Sequence, residues 1–159
     1  MNNTPSNIFH AARRSNYQDF KQMLDGVDLA IVTTNNRNLL HIAVAYRKPD
    51  NAAELIKRGV NVNWQDEDGA TLLHYAACYG PVEIVRLIFE HGGNPLIIDK
   101  HGNSPLWTAV FNARGDYEIV SEFTKRKVPS IQKNKHGRSP LDFAMQIGDK
   151  NLIDLLSLN

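Results

Sequence analysis

Six histidines, one cysteine and a short run of acids are the residues of this chain with types suited to chemistry. His41 and His74 lie thirty-three residues apart and His101 and His136 thirty-five. Zinc sites draw on cysteine and histidine at short spacing, and there is neither a cysteine cluster nor a close histidine pair here. Asp66-Glu67-Asp68 offers paired carboxylates of the kind used in hydrolysis. Followed by Gly69, it reads better as a polar turn whose first Asp bonds local backbone. Cys78 has no histidine placed beside it by motif, so neither a nucleophilic triad nor a redox site has support. Gly92-Gly93 lacks the Lys-Ser/Thr that completes a phosphate loop. Lys125-Arg126-Lys127, with Lys133, Lys135 and Arg138, gathers six bases that could meet an acidic partner or nucleic acid. No aromatics interleave them as a single-strand platform requires, and a solvated face is the better reading. The chain is therefore expected to be no enzyme, to use no metal or cofactor, and not to bind nucleic acid.

What positions these residues is a repeat. Gly69 and Gly102 are thirty-three residues apart, and Gly137 follows after thirty-five. The segments around them match: Gly69-Ala70-Thr71-Leu72-Leu73-His74, Gly102-Asn103-Ser104-Pro105-Leu106-Trp107 and Gly137-Arg138-Ser139-Pro140-Leu141-Asp142. Upstream, Asn36 takes the glycine position before Asn38-Leu39-Leu40-His41-Ile42-Ala43. A weaker copy, Phe9-His10-Ala11-Ala12, starts the chain. Self-similarity at this period marks a stacked repeat. Thr71, Ser104 and Ser139 are suited to cap helix N-termini, with Pro105 and Pro140 at the first helical position. Gly80 is expected to stop the first helix of its unit in the left-handed conformation. Pro81 then opens a second helix with the apolar stripe Ile84, Val85, Leu87 and Ile88, and Gly92-Gly93 ends it. Each unit is an extended turn followed by two antiparallel helices, and the fold class is all-α. Ala43, Ala76, Ala109 and Ala144 share one site on the first helices, where a small side chain allows close approach. The expected organisation is one domain over residues 6–158, in units of about 6–32, 33–65, 66–98, 99–133 and 134–158, after a flexible start at 1–5.

At 159 residues with net charge +1, the chain is long enough to bury a core, and its charge says little about partners. No stretch approaches the length of a membrane span. The N-terminal residues lack the basic start and apolar run of a secretory signal. A lone cysteine fits a reducing compartment, so a cytoplasmic, membrane-free and monomeric protein is expected.

The segments Gly69-Ala70-Thr71-Leu72-Leu73-His74-Tyr75-Ala76-Ala77, Gly80-Pro81-Val82-Glu83-Ile84-Val85 and Arg58-Gly59-Val60-Asn61-Val62-Asn63 resemble the ankyrin repeat signature, and the resemblance runs from about residue 6 to 158. It implies an ankyrin-repeat solenoid with three full repeats between N- and C-terminal capping repeats, and histidines at 41 and 74 that hydrogen-bond the turns. Four departures are local: Arg47 in place of the mid-unit glycine, Trp107 in place of the histidine, an insertion near Ala113-Arg114-Gly115-Asp116, and Lys127 where a helix-ending glycine is expected. If Lys127 takes positive φ, strain of about 1 kcal/mol follows.

The resemblance also implies where a protein partner binds: on the turn tips and the exposed side of the first helices, which line a concave groove. Carried over by alignment, the sites are Asn35, Arg37 and Tyr46 in the first full unit, and Gln65, Glu67, Asp68, Ala70, Cys78 and Tyr79 in the second. The third gives Lys100, His101, Asn103, Trp107, Phe111 and Asn112, and the last gives Lys135, His136 and Arg138. Tyr46, Tyr79 and Phe111 are expected to form a row of aromatic anchors. Acid at Glu67 and Asp68 and base at Lys135 and Arg138 give the groove two electrical ends. Such a groove would bury roughly 800 Å² per partner. The implied function is non-catalytic protein binding. Among bacterial proteins of this size, the resemblance suggests an immunity-type inhibitor that occludes a cognate toxin or effector. The alternative is a scaffold or regulatory adaptor within a larger complex.

Overall fold

The computed structural model describes residues 5–158. Among them ten helices follow one another: α1 Pro5–Arg14, α2 Tyr17–Met23, α3 Leu39–Ala45, α4 Pro49–Lys57, α5 Leu72–Tyr79, α6 Val82–Glu90, α7 Pro105–Asn112, α8 Glu118–Thr124, α9 Pro140–Ile147 and α10 Lys150–Ser157. No strand forms among the described residues; one isolated bridge joins Val32 and Asn38. The flexible start expected at residues 1–5 lies outside the described residues except for Pro5, the first residue of α1.

The helices stack in two layers. The odd-numbered helices pack in series, α1 on α3, α3 on α5, α5 on α7 and α7 on α9, and the even-numbered helices do the same from α2 to α10. Ala43, Ala76, Ala109 and Ala144 are all buried where the first layer closes. Leu39, Leu40, Leu72, Leu73 and Leu106 fill the space between the layers. Among the described residues no helix exceeds ten residues, so each is too short to be stable alone in water. Contacts between units must supply the stability.

The caps follow the local sequence. Ser104 Oγ accepts from the Trp107 N–H at 3.2 Å and Ser139 Oγ from the Asp142 N–H at 3.1 Å, with Pro105 and Pro140 next in line. In each unit the turn tip repeats one pattern. Thr33, Asp66, Asp99 and Asn134 donate to the carbonyls of Arg37, Ala70, Asn103 and Arg138 at 2.9–3.0 Å. The apex residues Asn36, Gly69, Gly102 and Gly137 all have positive φ, as the glycine period requires. Successive tips are then tied by single backbone bonds: Glu67 N–H to Asn35 O at 3.0 Å, Lys100 N–H to Asp68 O at 2.7 Å, and Lys135 N–H to His101 O at 3.0 Å.

Gly80 does not adopt the left-handed conformation expected of it; it is extended, at φ −84° and ψ 156°. The cause is Pro81. A residue before proline is pushed out of the helical region, and proline has no N–H to complete a left-handed cap. The contrast is Arg47, which is left-handed at φ 54°. There the next residue, Lys48, donates to Ala43 O at 2.8 Å. Glycine at position 80 is favoured by space instead: a Cβ would sit 3.1 Å from the Ala76 backbone. Lys127 does have positive φ, at 54°. It occupies the same helix-ending position as Gly59 and Gly92.

Candidate functional site

The turn tips stand beside the exposed sides of α3, α5 and α7 and enclose a hollow of about 580 Å³. Of the expected contact residues, Arg37, Tyr46, Asp68, Ala70, Cys78, Tyr79, Lys100 and His101 line it. Tyr46 and Tyr79, 52% and 48% exposed, stand at its mouth. Tyr75, Asp66, His74, Asp99, Ala45 and Thr108 complete the wall. The sequence alone points to none of these six as a contact residue.

The floor is built from polar groups whose needs are met locally. Asp66 is buried; its Oδ1 accepts from the N–H groups of Asp68 and Ala70 at 3.0 and 2.9 Å, and its Oδ2 accepts from the Tyr75 hydroxyl at 2.7 Å. Burial first, and then the Asp66 carboxylate, raise the pKa of Tyr75, so its phenol stays a donor. Asp99 Oδ1 accepts from His101 and Asn103 N–H, both at 2.8 Å. The two repeat histidines bridge units. His74 Nδ1 accepts from the Thr71 N–H at 3.0 Å, so Nε2–H donates to the Asn103 carbonyl at 3.0 Å. His41 sets Nδ1 2.6 Å from Asn38 Oδ1 and Nε2 3.3 Å from the Ala70 carbonyl, and as a neutral ring it donates its single N–H to only one of them. Burial lowers the pKa of both, His41 to about 4, and both rings are neutral near pH 7. Cys78 is half-buried, its thiol pushed up by burial and contacted by Asn112 Nδ2 at 3.4 Å.

Two expectations about the surface change. Tyr46, Tyr79 and Phe111 do not form one row. Tyr79 packs near Tyr75, with ring centroids 6.2 Å apart. Phe111, 54% exposed, joins a separate trio in which it stacks on Trp107 at 5.1 Å and meets Phe143 at 5.4 Å. The reason is register: Phe111 aligns with Cys78, and Asn112 with Tyr79. One residue along a helix rotates a side chain by roughly 100°. The second change concerns charge. Asp68 is held by Lys100 at 2.6 Å, which lowers the acid's pKa and raises the base's. Glu67 accepts from Asn35 Nδ2. The acidic end of the groove is thus already engaged.

The remaining expected residues are placed as follows. Gln65 Nε2 donates to the Gly69 carbonyl at 2.8 Å, and Asn112 Nδ2 to the Thr108 carbonyl at 2.8 Å. Asn103 Oδ1 accepts from Asn134 Nδ2 at 2.8 Å. These contacts hold the architecture. Lys135, His136 and Arg138 are exposed on the last tip. Trp107, in the histidine slot, is half-buried, and its Nε1 is buried without a hydrogen-bond partner among the described residues. It gives up the inter-unit bond that His41 and His74 make and gains ring contacts instead. Among the described residues no group of three His, Cys, Asp or Glu side chains is arranged to hold a metal ion. No helix among them is long and apolar enough to cross a membrane.

A family model described as Ankyrin repeats (3 copies) matches residues 8–99. Inversin of Homo sapiens is 33% identical over an alignment of 159 residues, which takes in 92% of this chain and 14% of inversin. Ankyrin repeat domain-containing protein 63 of Homo sapiens is 28% identical over 144 residues, 85% of this chain and 38% of that protein. The ankyrin repeat and LEM domain-containing protein 1 homolog of Caenorhabditis elegans is 44% identical over 88 residues, 55% of this chain and 12% of that protein. The chain thus spans 12–38% of the length of these curated relatives.

Proposed function

Because this chain belongs to the ankyrin repeat family, whose repeats are non-catalytic modules of protein–protein interaction, we propose that it binds one partner protein through the hollow between its turn tips and first helices and acts by occupying that partner's surface. The observation that carries the reading is the pair Tyr46 and Tyr79. Both are about half exposed and line one hollow, and no capping or core role requires them. Large aromatics at the centre of a concave surface are typical anchors of an interface. Such a protein would be a small inhibitor of one cognate protein, of the immunity type if that partner is a toxin, and Cys78 as the sole cysteine fits action in the cytoplasm.

A second reading, an adaptor within a larger assembly, is favoured by the relatives, which this chain matches over a minor part of their length. One experiment tests both. The protein and its Tyr46→Ala/Tyr79→Ala variant are used to capture partners from the source cell. A partner held by the first and lost from the second, with affinity down tenfold or more, supports the groove. Suppression of that partner's activity on binding identifies an inhibitor; retained activity identifies an adaptor. A partner held equally by both proteins would place the contact on another face.

A further inference from the structure

Charge in the hollow is unevenly committed. Its three carboxylates are occupied: Asp66 by Tyr75 and two backbone N–H groups, Asp99 by its own turn, and Asp68 by Lys100. Arg37 is not occupied in the same way. Its guanidinium carbon lies 5.5 Å from the centroid of the Tyr75 ring, and its side chain is 39% exposed. Its nearest acid is Asp66, with Nε 3.6 Å from Oδ2. The two form an ion pair beyond hydrogen-bond reach, and Nε is buried without a hydrogen-bond partner among the described residues, so an incoming carboxylate would meet the terminal nitrogens. A guanidinium stacked on an aromatic ring and short of acceptors is ready to take a carboxylate through its planar fork.

The surroundings favour the same sign. Arg13 lies over Tyr46 at 5.9 Å, on the N-terminal side of the hollow. On the C-terminal side Lys135 and Arg138 are exposed and make no ion pair among the described residues. An incoming base would find every carboxylate of the hollow taken, whereas an incoming acid would find donors. Tyr46 and Tyr79 supply apolar faces beside those donors.

We infer that the hollow holds an acidic segment of the partner protein, with one carboxylate on Arg37 and an apolar side chain against Tyr46 and Tyr79. The inference rests on the groove reading above and adds the chemistry of what the groove takes.

The test selects random displayed dodecapeptides on the full chain. The strongest binder is then synthesised and measured by fluorescence anisotropy against the protein and its Arg37→Gln, Arg37→Lys and Tyr79→Ala variants. Peptides rich in Asp and Glu are expected. Arg37→Gln should weaken binding about tenfold or more, the scale of a charge-assisted hydrogen bond, and Arg37→Lys should weaken it less. Unchanged thermal unfolding of Arg37→Gln confirms that the fold is intact. Peptides that require Tyr79 but carry no excess of acid, or that bind Arg37→Gln equally well, overturn the inference and leave the groove reading standing. Peptides indifferent to both positions, or no selection above bare support, overturn both. Displacement of the peptide by single-stranded DNA but not by poly-glutamate assigns the hollow to nucleic acid and also overturns the inference.

Discussion

The outer layer pairs its buried acids with bases, whereas the inner layer satisfies its buried Asp66 mainly with a hydroxyl and backbone N–H groups. On the outer layer, Glu54 and Glu122 are buried acids that keep their charge by pairing. Glu122 meets Arg126 at 2.7 Å, Arg86 at 3.0 Å and Lys125 at 3.1 Å. Glu54 meets Arg58 at 2.8 Å and accepts from the Tyr17 hydroxyl at 3.1 Å. Both are one turn before their arginine, at equivalent ends of α4 and α8. On the inner layer, His41 and His74 instead shed charge, and Arg37 keeps its charge without a full set of acceptors. The two buried glutamates of the outer layer are therefore fully paired, and Arg37 of the inner layer keeps donors available. On the proposed reading, stability and recognition fall to different layers, a division that substitutions can test.

The largest expected effect is on acid stability. His41 stays neutral in the fold down to about pH 4, while the unfolded chain takes its proton at the ordinary value of 6.5. Stability is thus fully present above pH 6.5 and is lost as the pH falls towards 4. The loss is about 3 kcal/mol for this residue, and His74 adds in the same direction. Glu122 has the same sign in a lower window. Hydrogen bonding to Arg126 is the main cause that brings its pKa to about 2, so its contribution is lost only between about pH 4.5 and 2. Urea unfolding across pH should show the histidine limb first. His41→Gln should flatten the slope between pH 6.5 and 4 and leave the lower limb in place. An unchanged upper limb would show that the inner layer does not depend on a neutral ring.

Next in size is the rigidity of the groove wall. Gly102 and Gly137 have nearly the same φ, +78° and +74°. A Cβ on Gly102 would lie 2.9 Å from the Lys135 backbone nitrogen, whereas one on Gly137 meets nothing within 4 Å. Gly137→Ala should cost about 1 kcal/mol, the strain of the left-handed region alone. Gly102→Ala should cost about 2–3 kcal/mol because it also pushes on the bond between Lys135 and His101. Equal costs in denaturant unfolding would mean that the tips are not mechanically joined.

A crossed pair of substitutions tests the division itself. Glu122→Gln should cost about 1–2 kcal/mol of stability, less than a fully buried pair because its bases are partly in solvent, and should leave groove binding untouched. Arg37→Gln should change stability by less than about 0.5 kcal/mol and weaken binding. If Glu122→Gln weakened binding as much as Arg37→Gln does, the layers would not be separate in function.

The period made the architecture legible because it fixes glycine, cap and alanine positions by backbone requirement, and the tip glycines, the Ser104 and Ser139 caps and the four alanines reappear in place. The hollow was legible in part. Tyr46 and Tyr79 stood out because no backbone rule asks for them. Tyr75 and Asp66 did not, since a tyrosine in an apolar helix and an aspartate in a turn each have an ordinary local explanation, and only stacking brings them together. The pairing at the acidic end becomes visible only when Asp68 is set against the neighbouring unit. Lys100, thirty-two residues on and at the neighbouring tip, is one repeat away, a spacing the repeat alignment already contained. The extended Gly80 was also within reach of the sequence, because Pro81 follows it.

The smallest expected effect separates strain that serves a purpose from strain left by drift. Lys127 and Arg47 are both non-glycine residues at φ 54°. Lys127 is exposed on the outer layer, and its backbone N–H donates to the Thr124 carbonyl at 2.8 Å. Lys127→Gly relieves strain of about 1 kcal/mol, but glycine loosens the unfolded chain and takes part of that back. The net gain should be about 0.5 kcal/mol, with binding unchanged. Arg47 lines a shallow recess with Cys78 and Tyr79 beside the hollow. Arg47→Gly should give a similar gain in stability, but it also removes a base from the side that receives an acidic segment. If both changes stabilise and only Arg47→Gly weakens binding, the inner-layer strain is retained for recognition. If neither affects binding, Arg47 belongs with Lys127, and the receptive region ends at Tyr79.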